Sequence, residues 1–461
     1  MIPLNAYSNK AVLVVGYGTT GIATAAALHK SGANVFIWDD DHSKKADAQK
    51  KAFQIFDENT CDLNELEAII WSPGIPHTYP SPHPLAKKVL SSGHVLRCDI
   101  DLLAETQADA FFIGITGTNG KSTTTALTQH ILKSAKRTTE VGGNFGIAAL
   151  DLKPLKNGAY YILELSSYQL ELCPKLSCNI AVLLNITPDH LERHNGIKGY
   201  INSKKRLLQN QTNSALKVIV NNDTHTNQII NKYRKEKKNI IEVSCNKDLE
   251  DGIVISDGFL IDRKWNTNEI IDLKNYACLP GQHNWLNAGA AYAITKSIGV
   301  SSKIISSAFS TFSGLNHRQE LIGKSRKVTF INDSKATNAN ATLYAMNCYN
   351  NIYWIAGGIP KDDGIEPLKP LLHRVAHAFL IGQSTSRFAK TLEQENVKFS
   401  ICKNLYEATV QAGRQAEKDE LPEPVVLLSP ASASFDEFKD FEERGNHFRQ
   451  IIINNWPEVA Q

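Results

Sequence analysis

The chain has 461 residues, a formal net charge of +3 and a hydrophobic fraction of 42%. Such a composition is that of ordinary globular proteins, and it excludes disordered, collagen-like and coiled-coil chains. The length favours about three domains of ~150 residues each. Because the charge is nearly balanced, nothing indicates nucleic acid as a partner.

The amino terminus and the cysteines bear on the compartment. The first residues, MIPLNAYSNKAVLVVG, lack the basic region, apolar segment and cleavage site of a secretory signal. No apolar run reaches the roughly 18–20 residues that a membrane-spanning helix needs. The eight cysteines are scattered without a CxxC pair, which favours buried thiols over a disulfide framework or a zinc site. We therefore expect a cytoplasmic protein without a membrane span.

The first ~100 residues predict alternating strands and helices. Short apolar runs at 11–15, 35–38 and 68–71 are rich in β-branched and aromatic residues, as buried strands are. The alanine-rich segment 21–30 predicts a helix that stops before Gly32. Strand–helix–strand repetition of this kind predicts a parallel sheet with right-handed crossovers.

A glycine-rich loop follows the first of these strands. The sequence Gly16-Tyr-Gly18-Thr-Thr-Gly21 stands between a predicted strand and a predicted helix, as a GxGxxG fingerprint requires. Its glycines allow a tight turn and leave helix amides directed at a phosphate. Asp39 ends the next strand, where its carboxylate could accept a ribose hydroxyl. The pattern predicts a nucleotide-diphosphate site without identifying the nucleotide; the alternative is a purely structural turn.

Two further strand–helix series follow along the chain. Strands are predicted at 111–115, 160–163, 180–184 and 218–220, and then at 328–331, 352–355, 379–381 and 425–428. Boundaries near residues 97 and 314 would divide the chain into three α/β domains, 1–97, 98–314 and 315–461.

A second phosphate-type loop opens the central series. It reads Gly114-Ile-Thr-Gly-Thr-Asn-Gly-Lys121-Ser122-Thr-Thr, and its first glycine stands one place earlier than in the strict GxxxxGK[ST] pattern. Backbone amides of such a loop cradle phosphates, Lys121 supplies a positive charge, and the Ser122 hydroxyl can ligate Mg²⁺. The loop predicts a nucleoside triphosphate site. Together the two loops argue against a plain dehydrogenase, because hydride transfer has no use for ATP.

Polar groups follow the next two central strands. Glu164 comes directly after the strand at 160–163, where a carboxylate beside a phosphate loop is placed to hold Mg²⁺. His190 follows the strand at 180–184 and can face the same crevice. Taken alone, His190 would more often be a structural or surface histidine. The pattern as a whole predicts a Mg-ATP site.

These motifs together resemble those of the ATP-dependent Mur ligase family. The matching segments are TGTNGKST (116–123), LELSSYQ (163–169), NITPDH (185–190), GQHN (281–284), GYGTTG (16–21), SPG (72–74), NDSKATN (332–338) and LSPASAS (428–434). The resemblance implies a Rossmann-like UDP-sugar-binding domain (1–97), a central P-loop ATPase-type domain with a parallel sheet (98–314) and a Rossmann-like domain that binds the amino acid (315–461). It also implies amide ligation through an acyl phosphate, with ATP, UDP-N-acetylmuramoyl-L-alanine and D-glutamate as substrates. We expect a monomer.

The resemblance implies three sets of binding residues. ATP would contact Thr118, Asn119, Gly120, Lys121, Ser122, Thr123, Thr124, Asn284, Asn287, Arg318 and Asp333. The UDP-sugar would contact Thr19, Thr20, Gly21, Asp39, Asp40, Gly74, Asn144, Gln169 and His190. D-Glutamate would contact Lys335, Thr337, Lys361, Ser434, Phe435 and Phe441.

Two Mg²⁺ ions and a modified lysine are also implied. Ser122 and Glu164 would hold one ion, and His190 with Lys204 would hold the other. Because a free lysine cannot ligate a cation, the resemblance implies that Lys204 is carbamylated, as the aligned lysine is in this family. Lys205 is the alternative one position on, and the sequence by itself would favour two surface lysines. The implied catalytic residues are Lys121, Glu164, His190, Lys204 and Arg318.

Several rival functions remain open at the level of sequence. Other ligases of the family, of the L-alanine-adding or folylpolyglutamate type, share the central motifs. The loop at 16–21 argues against the folate type, and the segment at 332–338 argues against the alanine-adding type. A non-catalytic protein that binds ATP and NAD is a further alternative, although Lys121, Glu164, His190 and Arg318 are all retained.

Overall fold

The computed structural model describes residues 1–58, 60–265, 269–360 and 364–460, and these residues form three β-sheets with their helices. The chain divides into two compact units. The first is Met1–Asp272 with Asn284–Thr311, and the second is Leu273–His283 with Phe312–Gln461. The first unit contains two of the sheets and the second contains the other.

The first sheet is parallel and has its glycine loop at a reversal of strand order. Its elements are β1 (Ala11–Val15), α1 (Thr19–Lys30), β2 (Asn34–Trp38), α2 (His42–Lys50), β3 (Gln54–Ile55), β4 (Ala68–Trp71), α3 (Pro84–Ser91), β5 (Leu96–Arg97) and α4 (Asp99–Thr106). The strands lie in the order β3-β2-β1-β4-β5 and pair in parallel. The loops after β1 and β4 therefore flank the point where the order reverses, which is where sheets of this kind bind ligands.

The central sheet has the same arrangement around its own phosphate-type loop. Its elements are β6 (Phe111–Thr116), α5 (Lys121–Ser134), β7 (Thr139–Gly143), β8 (Tyr160–Glu164), α6 (Ser167–Glu171), β9 (Ile180–Leu183), α7 (Ile197–Gln209), β10 (Leu216–Asn221), α8 (Thr224–Lys235), β11 (Ile240–Ser244), β12 (Ile253–Ser256), β13 (Phe259–Asp262), β14 (Ile270–Asp272), α9 (Gly281–Ser297) and α10 (Ser302–Thr311). The order is β14-β13-β12-β11-β10-β9-β6-β8-β7, antiparallel only where β12, β13 and β14 pair. The loop after β6 thus lies at the reversal between β6 and β9.

The third sheet brings two of the sequence motifs to one edge. Its elements are β15 (Glu320–Ser325), β16 (Val328–Asn332), α11 (Ala339–Met346), β17 (Ile352–Gly357), β18 (Val375–Ile381), α12 (Thr385–Gln394), β19 (Phe399–Ile401), α13 (Leu405–Lys418), β20 (Val425–Leu428) and α14 (Phe441–Asn455). The order is β15-β16-β20-β17-β18-β19, with only β15 antiparallel. Because β16 and β20 are parallel neighbours, the segments 332–338 and 428–434 leave the sheet side by side.

Each of the following hydrophobic clusters of the described residues lies within one of the two units. One cluster joins the first sheet to the central one, and it includes Val14 and Trp71 from the former and Leu163 and Tyr200 from the latter. The third sheet is buried on both faces, with Trp354 in one cluster and its neighbour Tyr353 in the other. Neighbouring residues of a strand point to opposite faces, which explains the continuous apolar runs that predicted these strands.

The predicted fold class is confirmed. The strands predicted at 11–15, 68–71 and 425–428 have those bounds, and the helix predicted at 21–30 begins two residues earlier, at Thr19. The sequence did not predict β3, β5, β7, β11 to β15 or β19, several of which are short or lie at sheet edges where the apolar pattern is weak. The domain boundaries near residues 97 and 314 stay a prediction.

All eight cysteines are free thiols, and the Sγ atoms of Cys98 and Cys173 lie 3.3 Å apart in the core. None of the helices in the described ranges is both long and apolar enough to span a membrane.

Candidate functional site

The loop after β6 is hydrogen-bonded to Asn185 and packs against Asn287. Gly120 precedes α5 with φ of 84°, and a Cβ added there would lie 2.3 Å from Asn287 Oδ1, so glycine is required. Asn185 Oδ1 accepts the Asn119 amide at 2.8 Å, and its Nδ2 donates to the Asn119 carbonyl at 3.0 Å. Asn287 Nδ2 also donates to Asn284 Oδ1 at 3.3 Å. The loop thus presents the N-terminus of a 14-residue helix, a position that favours phosphate.

Two lysines meet at one carbonyl of this loop. Lys121 Nζ and Lys204 Nζ donate to the Gly117 carbonyl at 2.9 Å and 2.8 Å. Lys204 is 2% exposed, and its Nζ lies 4.6 Å from the centre of the Tyr200 ring. Burial, together with the charge of Lys121, lowers the pKa of Lys204 well below its usual value. Lys205 beside it is only half-buried, so the two candidate lysines have very different surroundings.

Glu164 ends β8 as the sequence predicts, and one of its carboxylate oxygens has no partner. The residue is 2% exposed; Oε1 accepts from Asn144 Nδ2 at 2.8 Å, whereas Oε2 is buried without a hydrogen bond within the described part of the chain. Ser122, also 2% exposed, is the second residue of α5. Leaving a charged oxygen buried and unpaired is costly. A hard cation bound there would remove that cost, so this donor set fits Mg²⁺.

His190 differs from these groups because it lies at the surface. Its side chain is 49% exposed, and its Nε2 is 3.5 Å from Asp189 Oδ2. The backbone is left-handed there, with φ of 50°, and a short 3₁₀ helix, Leu191–His194, follows. The ring centre lies 5.2 Å from that of Tyr168. The imidazole is thus held beside an aromatic ring with its edge open to a ligand.

The loop of the first sheet is tightly packed against its own helix. A Cβ on Gly21 would lie 1.8 Å from the Gly16 carbonyl, so no larger residue fits. Asp39 is 6% exposed, and its two oxygens accept the amides of Tyr17 at 2.7 Å and Asp41 at 2.9 Å. The carboxylate predicted to accept a ribose hydroxyl therefore also ties the loop to the end of β2.

The other residues predicted to contact the UDP-sugar have mixed environments. Thr19, Asp40, Gly74 and Asn144 are exposed. Gln169 is buried, and its side-chain oxygen accepts from the amide and the hydroxyl of Ser166, both at 3.0 Å. The Gln169 amide in turn donates to Ser166 Oγ at 3.3 Å, and this bond forms a capping box at the start of α6 together with that from the Ser166 amide, so Gln169 has a structural role that the sequence motif did not indicate.

Asp333 occupies the end of β16 in the second unit. Its Oδ2 accepts from Ser429 Oγ at 2.7 Å, and its Oδ1 accepts from the Gln319 amide at 3.1 Å. Burial raises the pKa of Asp333 to about 7, against the opposing effect of these hydrogen bonds and of the Arg318 charge. Arg318 itself is half-buried. A carboxyl that is partly protonated near neutral pH can donate as well as accept a hydrogen bond.

The structure brings some of the residues predicted to bind D-glutamate into contact with one another. Lys335 Nζ lies 3.6 Å from the centre of the Phe441 ring, a cation–π contact. The Thr337 amide donates to the Lys335 carbonyl at 2.8 Å. Ser434 is 2% exposed, whereas Phe435 is 69% exposed. Lys361 lies outside the described residues.

Arg444 is a residue of this region that sequence reasoning missed. It is 1% exposed, and it donates to Ser334 Oγ at 3.0 Å, to the Ser334 carbonyl at 2.9 Å and to the Ser432 carbonyl at 3.2 Å. Burial lowers its pKa to about 10. The guanidinium thus joins the segments that contain Lys335 and Ser434. The sequence alone does not indicate that Arg444 is buried, because an arginine in an amphipathic helix is usually exposed.

Comparison with known proteins identifies the class. Residues 115–295 match the family model described as the Mur ligase middle domain, and residues 6–69 match that of the NADPH-binding domain of acetohydroxy acid isomeroreductase. The first match and the full-length relatives show that the chain belongs to the Mur ligase family. The UDP-N-acetylmuramoylalanine–D-glutamate ligase of Rhodospirillum rubrum is 45% identical over 98% of this chain and 96% of its own. The enzyme of the same name from Paramagnetospirillum magneticum is 43% identical over 98% of both chains.

Solved structures of more distant ligases share the fold. The UDP-N-acetylmuramate-alanine ligase MurC of Thermotoga maritima matches with a TM-score of 0.60 at 17% identity, over 97% of this chain and 99% of its own. The pseudomurein peptide ligase type C of Methanothermus fervidus matches with a TM-score of 0.56 at 18% identity, over 97% of this chain and 100% of its own. At these identities the likeness concerns architecture alone.

Proposed function

We propose that this protein is an ATP-dependent amide ligase that adds D-glutamate to UDP-N-acetylmuramoyl-L-alanine in the synthesis of peptidoglycan precursors. The observation that carries the proposal is identity of 45%, from end to end, with a relative named as that ligase. The local chemistry agrees with it, because the buried Lys204 amine contacts the phosphate-type loop and lies within the electrostatic influence of Glu164, whose buried carboxylate has one oxygen unpaired among the described residues.

The reaction needs activation of a carboxylate. A carboxylate does not condense with an amine in water, because its oxygen is a poor leaving group. Transfer of the γ-phosphoryl group of ATP to the carboxylate of the alanyl residue releases ADP and gives an acyl phosphate. The D-glutamate amine then attacks the acyl carbon, and the tetrahedral adduct expels phosphate, leaving an amide. Most of the catalysis would come from positioning and from charge stabilisation.

The phosphate-type loop and Lys121 would receive the triphosphate. The Lys121 ammonium is held over the loop by the carbonyls of Gly117 at 2.9 Å and Thr118 at 2.8 Å. A charge there can offset the negative charge that spreads over the phosphoryl oxygens. The other residues proposed for ATP are Asn119, Gly120, Ser122, Thr123, Thr124, Asn284, Asn287, Arg318 and Asp333.

Two Mg²⁺ ions are part of the proposal. The unpaired Oε2 of Glu164 supports a first ion held with Ser122, and His190 with a carbamylated Lys204 would hold the second. Bound Mg²⁺ neutralises charge on phosphoryl oxygens. The lowered pKa of Lys204 supports carbamylation, because only a neutral amine adds to CO₂. The addition of CO₂ to the neutral amine forms an N–C bond and releases one proton, and it turns the amine into a carboxylate.

The substrates would be recognised at the ends of the other two sheets. Thr19, Thr20, Gly21, Asp39, Asp40, Gly74, Asn144, Gln169 and His190 are proposed for the UDP-sugar. Lys335, Thr337, Lys361, Ser434, Phe435 and Phe441 are proposed for D-glutamate, whose two carboxylates need a cation and hydroxyl or amide donors. The proposal includes a monomeric cytoplasmic enzyme, and the eight free thiols fit a reducing compartment.

Phosphate release tests the proposal. The purified protein receives Mg-ATP, UDP-N-acetylmuramoyl-L-alanine and either D- or L-glutamate, with a Lys121→Met variant as the control for contaminating ATPases. We expect release that needs both the UDP-sugar and the D isomer. Release only with another amino acid or acceptor would move the protein to a sibling ligase. No release with any combination would reject the ligase, and NADPH binding would then be measured because of the match at 6–69.

A further inference from the structure

A buried cluster links α6 to the 3₁₀ helix that follows His190. His194 is 2% exposed, and its Nδ1 lies 2.9 Å from Glu171 Oε1 while its Nε2 lies 2.9 Å from Ser167 Oγ. Its ring is stacked on Tyr168, with centres 5.3 Å apart and planes at 17°. The Tyr168 ring is also the neighbour of His190. His194 therefore packs against the Tyr168 ring, and this ring also contacts His190, the candidate metal ligand.

The same cluster reaches into the first sheet through Glu171. The second oxygen of this carboxylate, Oε2, lies 3.5 Å from His77 Nε2. His77 belongs to the loop after β4, is 9% exposed, and leaves its Nδ1 buried without a hydrogen bond among the residues described. A buried unsatisfied nitrogen is costly, so packing alone would favour an apolar residue. What the histidine contributes is its contact with Glu171.

Arg193 holds the two ends of this loop. Its guanidinium donates to the Pro73 carbonyl at 3.2 Å and to the Tyr79 carbonyl at 3.1 Å. It also lies 4.8 Å from the centre of the Tyr168 ring. The loop is thus contacted at three places by residues of α6 and of the 3₁₀ helix, and it contains Gly74.

We propose that Glu171 is a positioning residue that, by contacting His194 and His77 at once, sets the loop of residues 73–79 against the segment that carries His190. The inference rests on the proposed function and deepens it. The loop would line the path of the muramoyl-alanine part of the substrate, and Glu171 would align this path with the metal site.

A matched control lies at the same junction. Glu105 of α4 bridges Arg97 and, at 2.8 Å, Lys175, so it also joins the first sheet to the central one. It contacts no residue of the loop at 73–79 in the described structure. Glu171→Gln and Glu105→Gln each remove one carboxylate that bridges two side chains, two histidines at Glu171 and Arg97 with Lys175 at Glu105, and both variants are expected to fold.

Hydrogen exchange and kinetics together test the inference. We expect faster amide exchange at 72–83 and 190–196 in Glu171→Gln than in Glu105→Gln. We also expect the KM for the UDP-sugar to rise about tenfold with the KM for ATP unchanged, because binding at one subsite is weakened. A His77→Phe/Glu171→Gln double variant should have no higher KM for the UDP-sugar than the worse single variant, since the contact between Glu171 and His77 is lost in either single variant.

The possible failures are distinct. If wild type releases no phosphate, the proposed function fails, and calorimetric binding of the UDP-sugar then replaces KM in the comparison. If the two glutamate variants show the same exchange at 72–83, or the same affinity for the UDP-sugar, the positioning role of Glu171 is wrong even though the enzyme is active.

Discussion

Burial changes the chemistry of individual side chains in both units. Lys204, Asp333 and Arg444 are respectively 2%, 7% and 1% exposed. Burial lowers the pKa of Lys204 and of Arg444 and raises that of Asp333, because a low-dielectric environment disfavours the charged form. The pKa of each of these side chains therefore differs from its value in water, and this difference can be measured.

The first prediction concerns the two adjacent lysines. Lys204→Ala should lower phosphate release by about 10²-fold or more, because the site loses a metal-binding group. Lys205→Ala, at a half-buried neighbour, should retain most of the activity. In ¹³C-bicarbonate, a carbamate signal should be present in wild type and in Lys205→Ala but absent from Lys204→Ala. Full activity in Lys204→Ala would contradict the assignment.

The second prediction concerns Asp333 and pH. Its folded pKa of about 7 lies above the ordinary value of 3.8 for an aspartate, so between these values the folded chain keeps a proton that the unfolded chain has lost. The free energy of unfolding should therefore fall as pH rises from about 4 to 7, by at most about 1.4 kcal/mol per pH unit from this residue. Asp333→Asn should remove this part of the slope in urea titrations. Glu393 is exposed and lies in the same unit. Glu393→Gln should leave this part of the pH dependence of the free energy of unfolding unchanged.

At the scale of secondary structure, both glycine loops follow the strand at which the order of their sheet reverses. This holds for β1 in the first sheet and for β6 in the central sheet. The helices that leave neighbouring strands on either side of such a point lie on opposite faces, which opens a crevice. In each case a helix begins directly after the loop, and its N-terminal amides favour phosphate.

The third prediction separates backbone strain from close packing. Gly120 and Gly93 both have φ of 84°, but only Gly120 has an atom, Asn287 Oδ1, within 2.3 Å of an added Cβ. Gly93→Ala should cost about 1 kcal/mol of stability, the usual penalty of a left-handed residue, and leave activity unchanged. Gly120→Ala should also abolish ATP binding, because the loop must move. Calorimetric titration with ATP distinguishes them; equal ATP affinity in both variants would contradict this account.

At the scale of the whole molecule, the three sheets differ in whether they share a hydrophobic cluster with another sheet. The first and central sheets contribute to one buried cluster, whereas the third sheet has clusters of its own. A domain that buries its apolar surface against another loses that burial when it is isolated.

The fourth prediction follows from this sharing. A fragment of residues 1–97 should lack a cooperative urea transition, because its apolar residues share a buried cluster with residues of the central sheet. A fragment of residues 312–461 should unfold cooperatively. Circular dichroism during urea titration compares the two. Cooperative unfolding of 1–97 would instead support an independent domain ending near the predicted boundary.

The sequence by itself determined the class of fold, the two glycine loops and the nature of the chemistry. The strands β1, β4 and β20 could be predicted to the residue, because apolar runs and the turn residues that bound them are local properties of the chain. Glu164 could be placed at a strand end for the same reason. The family motifs extended these predictions to single side chains.

Only the tertiary structure decided which of these residues meet and in what environment. Lys204 contacts a carbonyl 87 positions away, and Arg444 contacts Ser334 110 positions away. The unpaired oxygen of Glu164 and the contacts of Glu171 with His194 and His77 are likewise properties of packing. Local patterns carry no information on such pairs, because the chain must first be folded before distant groups share a site and before burial shifts their pKa values.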